Sequence, residues 1–129
     1  MKIFGIGSDI VDIRRIKKSI LQNKKFTSRV FSKKEIALAN KKKNVYNYFA
    51  KRYAAKEAFS KSLGTGISNG LKFSEIEVLN NKNGKPIMQI KGKSHSLVLK
   101  FLRKKNYNIF LSISDEKDYA IANVTLVIQ

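Results

Sequence analysis

The sequence contains no cysteine, a single histidine and only 9 acidic residues. The absence of cysteine excludes disulfides and thiolate metal sites, and with one histidine a structural zinc centre is not expected. No apolar stretch is long enough to cross a bilayer, and the first residues lack the features of a secretory signal peptide. These absences predict a cytoplasmic protein without membrane contact.

Positive charge is in large excess. Lysine and arginine together number 27, which gives a formal net charge of +18. Such an excess favours attraction to phosphate groups, nucleic acid or an acidic protein, but it does not identify the partner. The alternative is a general bias towards lysine on solvent-exposed surface, in which the cluster at residues 41–43 is only a solvated loop. The length of 129 residues is typical of one domain, and we expect that domain to span residues 1–129.

The hydrophobic pattern predicts an α+β fold with a mainly antiparallel sheet packed on a long central helix. The long helix spans residues 45–63, which contain no glycine or proline, and Gly64 is expected to end it. Ser32 and Glu35 form a capping-box pattern that opens a short helix ending near residue 40. Asp12 or Ser8 could cap the first helix. Strands are predicted over residues 2–8, 73–79, 86–91, 108–114 and 119–128, and a further helix over 95–105.

Two carboxylates stand out against this background. Asp9 follows the apolar segment at residues 3–8 and is expected at the junction between strand and helix. An unpaired carboxylate is costly to bury, so Asp9 must be exposed, cap a helix, pair with a cation or bind a metal. Glu57 shares a helix face with Lys61, and an ordinary surface ion pair is the alternative to a functional role. If Asp9 and Glu57 meet, their oxygens would suit Mg²⁺.

Two longer motifs contain these carboxylates. The first motif is Gly-Ile-Gly-Ser-Asp-Ile-Val at residues 5–11. The second is Phe-Ala-Lys-Arg-Tyr-Ala-Ala-Lys-Glu-Ala-Phe-Ser-Lys at residues 49–61, and Gly64-Thr65-Gly66 follows it. With Asn83-Gly84-Lys85-Pro86 and Leu111-Ser112-Ile113-Ser114, they resemble the signatures of bacterial holo-acyl-carrier-protein synthases. This family is the small-subunit branch of the phosphopantetheinyl transferases. The order and spacing of the motifs agree over nearly the whole chain.

The resemblance implies transfer of the 4′-phosphopantetheine arm of coenzyme A to a serine of apo-acyl carrier protein. Adenosine 3′,5′-bisphosphate would be the second product, and the reaction would support fatty acid biosynthesis. Asp9, Glu57 and Lys61 are the implied catalytic residues, with Asp9 and Glu57 holding Mg²⁺ against the pyrophosphate. Either Glu57 or a metal-bound water could take the serine proton.

The coenzyme A site implied by the resemblance comprises Arg52, Lys61, Gly64, Gly66, Gly84, Lys85 and Pro86. Local alternatives are a surface cation for Arg52, a helix stop for Gly64 and a simple hairpin turn at residues 84–86. One position departs from the family, because Asp115 stands where a histidine usually follows the Ser-Ile-Ser strand. A carboxylate there would repel a phosphate unless it pairs with Lys117 or another cation. His95, in a different segment, is interpreted as a surface residue.

The partners implied by the resemblance are coenzyme A and apo-acyl carrier protein. Arg15, Lys25 and Arg29 on the basic first helix would dock the acidic carrier protein, and binding should weaken as salt rises. A homotrimer is also implied. A basic RNA-binding module and a catalytically impaired relative that still docks a carrier protein are the alternatives, but we predict no nucleic-acid or membrane partner.

Overall fold

The computed structural model describes residues 1–64 and 70–129. Its strands are β1 (Lys2–Asp12), β2 (Ile76–Asn80), β3 (Pro86–Ile90), β4 (Tyr107–Asp115) and β5 (Tyr119–Ile128). Its helices are α1 (Ile13–Gln22), α2 (Phe26–Val30), α3 (Lys33–Ala39), α4 (Val45–Leu63) and α5 (Gly92–Leu102). A 3₁₀ turn, Phe73–Glu75, precedes β2. None of the helices within the described ranges is long and apolar enough to span a membrane.

The main sheet has the strand order β1-β5-β4, and both of its strand pairings are antiparallel. Strands β2 and β3 form a separate antiparallel hairpin. The long helix α4 packs against β1 and β5, with its middle almost wholly buried. The predicted α+β fold, a mainly antiparallel sheet on a long central helix, is therefore confirmed.

Glycine and alanine permit unusually close contact between α4 and the sheet. A Cβ atom added at Gly7 would lie 1.9 Å from the carbonyl oxygen of Ala58, and one added at Gly5 would lie 2.0 Å from that of Ser62. On β5, the alternate residues Ala120 and Ala122 have no exposed surface. Any side chain at Gly7 would therefore separate strand from helix, because protein interiors are close-packed.

The predicted helix ends are largely confirmed. The Asp12 side chain accepts a hydrogen bond from the Arg14 amide (2.9 Å), so Asp12, rather than Ser8, caps α1. Ser32 and Glu35 form the predicted capping box at α3. Gly64 ends α4 with a φ of 85°, in the left-handed region that favours glycine.

The boundaries of two predicted strands were wrong. Strand β1 continues to Asp12, so Asp9 lies within a strand and not at its junction with the helix. Residues 73–75, predicted as strand, form the 3₁₀ turn instead. These errors arose because sheet pairing and tertiary contacts, rather than local sequence, decide where a strand begins and ends.

Helix α5 begins at Gly92, earlier than its predicted start at residue 95. Its first turn is stabilised by the distant Glu75 carboxylate, whose Oε1 accepts hydrogen bonds from the Ser94 amide (3.2 Å) and hydroxyl (2.8 Å). No local capping signal reveals a partner that is remote in sequence. The short helix α2 was not predicted, because five residues give little periodicity.

Candidate functional site

Asp9 and Glu57 face the same cavity, although they come from different elements. Asp9 pairs across the sheet with Ala122, which lies on the buried face towards α4, so the carboxylate points to the helix side. Glu57 lies on α4 and is half-buried. Both carboxylates line a cavity of about 320 Å³, together with Asp12, Arg15, Tyr53 and further residues of β1, α1 and α2. The structure thus brings together the two acids that the sequence singled out.

Lys61 forms an ion pair with Asp9. Its Nζ lies 2.9 Å from Asp9 Oδ1 and also donates to the Ser8 carbonyl at 3.1 Å. The Asp9 side chain is 14% exposed and the Lys61 side chain 55% exposed. Of the four alternatives for Asp9, the structure therefore shows pairing with a cation. Glu57 and Lys61 do not form the surface ion pair that was the alternative to a functional role, as judged from the ion pairs within residues 1–64 and 70–129.

The donor chemistry of this cavity fits a hard divalent cation. Asp9 and Glu57 offer carboxylate oxygens, and no histidine lines the cavity. Within the described part of the chain, no group of three acidic or histidine residues could form an all-protein cage. Carboxylate donors of this kind suit Mg²⁺, which usually keeps waters and is bound by one or two carboxylates together with substrate phosphates.

Tyr53 also lines this cavity, although the motifs and the hydrophobic pattern did not single it out as a site residue. It lies one turn before Glu57 on α4 and lines the same cavity. Burial raises the pKa of Tyr53 to about 12, and the negative charge of Glu57 adds to that shift. The Tyr53 hydroxyl therefore stays protonated at neutral pH, which makes it a hydrogen-bond donor inside the cavity.

Arg52 points to a second site on the other side of α4. It is only 4% exposed, its guanidinium lies 3.8 Å from the centre of the Tyr48 ring, and it donates to the Asn80 side chain. Its Nε is buried without a partner among the described residues. The alternative of a surface cation is therefore wrong for Arg52. Burial lowers the pKa of Arg52 from its ordinary value, which reflects the cost of holding the charge there.

The β2–β3 hairpin brings its turn close to Arg52. Gly84 (φ 83°) and Pro86 line a small cavity of about 150 Å³ with Arg52, whereas Lys85 is exposed in the turn. The Asn80 side-chain amide donates to the Gly84 carbonyl at 2.6 Å and so ties the turn to the Arg52 partner. Gly64 is exposed at the end of α4, and the predicted site residue Gly66 lies outside the described residues.

Asp115 lines this small cavity from the end of β4. Its Oδ2 accepts a hydrogen bond from the Asn47 side-chain amide at 2.7 Å. Neither Lys117 nor any other cation forms an ion pair with it in the described ranges. The carboxylate is thus satisfied by an amide of α4 rather than by a positive charge.

Lys56 lies on α4 next to Glu57 and is buried, which is rare for a lysine without a partner. Its side chain has no exposed surface and forms an ion pair with the equally buried Glu35 at 2.8 Å. Its Nζ also donates to the carbonyl oxygens of Phe73 (2.8 Å) and Ile76 (2.5 Å). The pair connects α4 with α3 and β2, directly beside Glu57 in the chain. Only the tertiary structure reveals it, because the partner lies 21 residues away.

Residues 5–124 match the family model of the 4′-phosphopantetheinyl transferase superfamily. The chain belongs to this superfamily. A holo-[acyl-carrier-protein] synthase from Pelagibacter ubique is 51% identical over 126 residues, which cover 98% of each protein. The resemblance identified from the motifs is therefore confirmed.

Solved structures of superfamily members share the fold. The holo-ACP synthase from Plasmodium yoelii matches with a TM-score of 0.83 and 34% identity, covering 99% of this chain and 97% of that one. A holo-(acyl-carrier-protein) synthase from Bacillus anthracis in complex with CoA (3′,5′-ADP) matches with a TM-score of 0.78 and 36% identity, covering 98% of each.

The predicted docking residues of this superfamily member lie on or beside two helices, α1 and α2. Arg15 lies on α1 and lines the cavity of Asp9 and Glu57. Lys25 immediately precedes α2, and Arg29 lies in its last turn. The assignment of all three to the first helix was therefore wrong, because α1 ends at Gln22. All three side chains are exposed, and Arg15 connects this basic surface with the cavity.

Proposed function

We propose that this chain transfers 4′-phosphopantetheine from coenzyme A to a serine of apo-acyl carrier protein, giving holo-acyl carrier protein and adenosine 3′,5′-bisphosphate. The observation that carries the proposal is that Asp9 and Glu57 line one cavity in a member of the phosphopantetheinyl transferase superfamily. We further propose that residues 1–129 form the one domain that carries this activity. The protein would act in the cytoplasm, and its holo-acyl carrier protein product would be used in fatty acid biosynthesis.

The group transfer joins the serine oxygen to the phosphorus that bears pantetheine and breaks that phosphorus's bond to the bridging oxygen. Either Glu57, which is half-buried in the cavity and not ion-paired to Lys61, or a water on the metal would take the serine proton. Lys61, whose side chain is more than half exposed, would contribute positive charge to the pyrophosphate. Asp9 and Glu57 would hold Mg²⁺, which when bound neutralises charge on the phosphates.

The proposed nucleotide end of the coenzyme A site comprises Arg52, Gly84, Lys85 and Pro86, with Gly64 at the end of α4. Gly66, which lies outside the described residues, is included on the motif alone. The buried guanidinium of Arg52, with one N–H unpartnered by described residues, is suited to a phosphate because it presents rigid donors. The proposal accommodates Asp115 because its carboxylate is already hydrogen-bonded to Asn47. A catalytically impaired relative is the second candidate, and Asp115 is the observation that favours it.

Arg15, Lys25 and Arg29 form the proposed docking surface for the acidic carrier protein. Their exposure and common sign favour electrostatic steering, which changes the association rate more than the affinity. Charge reversal at Arg29 should therefore raise the KM for the carrier protein with little change in kcat. The effect should shrink at high salt, because exposed charges are screened.

A homotrimer is part of the same proposal. The face of the sheet opposite α4 carries exposed apolar side chains, among them Ile6 (67% exposed), Ile10 (62%) and Phe110 (54%). Ile10 lies directly opposite Ile121, and Ile6 and Phe110 both lie beside Thr125. The apolar residues thus form two groups, with the polar row of Ser8, Asn123 and Ser112 between them. Large exposed apolar patches are typical of interfaces between subunits. Sedimentation velocity would test the trimer, and a monomer at micromolar concentration would contradict it.

Intact-protein mass spectrometry of an apo-acyl carrier protein tests the transfer itself. Incubation with coenzyme A, Mg²⁺ and the enzyme should add one phosphopantetheine to the carrier, and EDTA should prevent the addition. Asp9→Ala and Glu57→Gln should each lower the rate by at least about 100-fold. Asp118→Asn removes an equal charge away from the cavity and serves as the matched control.

Three results would overturn parts of this proposal. Full activity of both Asp9→Ala and Glu57→Gln would exclude the proposed roles of these acids. Carrier binding without turnover in the wild-type protein would favour the impaired relative. RNA binding that survives both substitutions, with no transfer to any carrier protein, would favour the RNA-binding alternative.

A further inference from the structure

Asp115 lies beside two cations without pairing to either of them. Its register partner on β5 is Ala120, which is buried towards α4, so the Asp115 carboxylate also lies on the helix side of the sheet. There it lines the cavity of about 150 Å³ together with Lys51 and Arg52. Among the described residues, neither of these cations forms an ion pair with Asp115 or with any other acid.

A larger cavity of about 290 Å³ adjoins this one, and Lys51, Arg52 and Asn80 line both. Asn47 lines the larger cavity, and its side-chain amide donates to Asp115 Oδ2 at 2.7 Å. The contact between Asn47 and Asp115 therefore crosses from one cavity to the other beside their shared cations.

The start of α4 holds Asn47 in place. The Asn47 backbone amide donates to the side-chain oxygen of Asn44, the residue that caps the helix, at 3.1 Å. The first turn of a helix also carries partial positive charge, which favours a nearby carboxylate. Asp115 thus gains a neutral donor and a favourable dipole, and it does not occupy the positive charge of Lys51 or Arg52.

Arg52 has a donor that a competing carboxylate could occupy. The residue is only 4% exposed, and its Nε is buried without a partner among the described residues. A buried donor without an acceptor is costly, so this N–H is suited to an acceptor that a ligand supplies. Carboxylates and phosphates bind guanidinium groups in the same way, and Asp115 would therefore compete with a phosphate for Arg52.

We propose that Asn47 is a positioning residue that holds the Asp115 carboxylate away from Lys51 and Arg52 and leaves both cations free for the phosphates of the nucleotide. The inference rests on the proposed function, because it takes the smaller cavity as the nucleotide end of the coenzyme A site. Asn47 acts through Asp115 and needs no contact with the nucleotide itself.

Asn47→Ala is the direct test, measured by isothermal titration calorimetry with adenosine 3′,5′-bisphosphate. The substitution frees Asp115 to pair with Lys51 or Arg52, and the affinity for the bisphosphate should fall about three- to tenfold. The KM for coenzyme A should rise by a similar factor, with kcat nearly unchanged. The loss should shrink at high salt, because Asp115 is exposed and its charge is screened.

A double variant tests whether Asn47 acts through Asp115. Asp115→Asn alone should bind the bisphosphate at least as tightly as the wild-type protein, because it removes a negative charge. Asn47→Ala combined with Asp115→Asn should regain the wild-type affinity, since no carboxylate remains to compete. Asn106→Ala, at an exposed position that lines a different cavity, is the matched control and should change neither affinity nor KM.

Each other outcome contradicts a defined part of the inference. A double variant as weak as Asn47→Ala would overturn it, because Asn47 would then act on the nucleotide or the fold without Asp115. Weaker binding by Asp115→Asn would also overturn it, since Asp115 would then be a ligand contact. Unchanged binding by Asn47→Ala would overturn the positioning role while leaving the transferase function intact.

Failure of the proposed function is distinguishable from failure of this inference. A wild-type protein that binds the bisphosphate but transfers nothing would contradict the transferase function, and recovery in the double variant would still support the role of Asn47. A wild-type protein that does not bind the bisphosphate would overturn both the nucleotide site and the role of Asn47.

Discussion

The buried ion pair between Lys56 and Glu35 should be a major determinant of stability. Both side chains have no exposed surface, and Lys56 Nζ contacts Glu35 Oε1 together with two carbonyl oxygens. Glu35 in turn accepts hydrogen bonds from the amides of Ser32 (2.8 Å) and Val78 (2.9 Å). Burial lowers the pKa of Lys56, and the Glu35 charge opposes that shift without cancelling it.

The substitution Lys56→Met leaves the Glu35 carboxylate buried without its cation. Breaking a buried pair by removing one partner costs about 3–5 kcal/mol. Because Ser32 and Val78 still donate to Glu35, we expect a loss near the lower end, about 3 kcal/mol in the free energy of unfolding. The double variant Lys56→Met with Glu35→Gln removes both charges and keeps an acceptor oxygen, so it should be less destabilised than the sum of the single variants.

Urea unfolding followed by far-UV circular dichroism would measure these differences at one fixed protein concentration, since oligomerisation would otherwise shift the apparent stability. Lys93→Met, an exposed substitution in α5, is the control and should change the unfolding free energy by no more than about 0.5 kcal/mol. The reasoning would be refuted if Lys56→Met matched this control. It would also be refuted if the two single losses were simply additive in the double variant.

Two further predictions concern packing and pH. Gly7→Ala should destabilise the fold by about 1–3 kcal/mol, because its Cβ would lie 1.9 Å from the Ala58 carbonyl oxygen. A thermal unfolding midpoint no lower than that of Ser8→Ala, on the exposed face of β1, would contradict this. For Glu77, burial raises the pKa, but hydrogen bonds from Lys91 and Ser32, together with the charges of Lys91 and Lys34, outweigh burial and lower the pKa below its ordinary value of 4.5. The stabilisation by ionised Glu77 is therefore present above pH 4.5 and lost as pH falls through the folded-state pKa. The stability advantage of the wild-type protein over Glu77→Gln should shrink over that window in urea unfolding, and a constant difference would disprove the assignment.

Local sequence signals were sufficient where neighbours in the chain supply the structure. The nineteen-residue helix α4, the capping box at Ser32 and the stop at Gly64 depend on nearby residues, and all three were predicted. Helix α5 began earlier than predicted because its first turn bonds to Glu75, nineteen residues from Ser94. Strand β1 similarly extends past Asp9 because β5 continues to pair with it.

The sequence by itself determined the family, the two carboxylates and the overall α+β class, because these depend on motif spacing and hydrophobic periodicity. Only the tertiary structure decided what those residues contact. It placed Lys61 against Asp9 rather than Glu57, buried Lys56 against Glu35, and set Tyr53 in the cavity of the two acids. Periodicity specifies which face of a helix a residue occupies, whereas its partner is chosen by elements that are distant in sequence and adjacent only after folding.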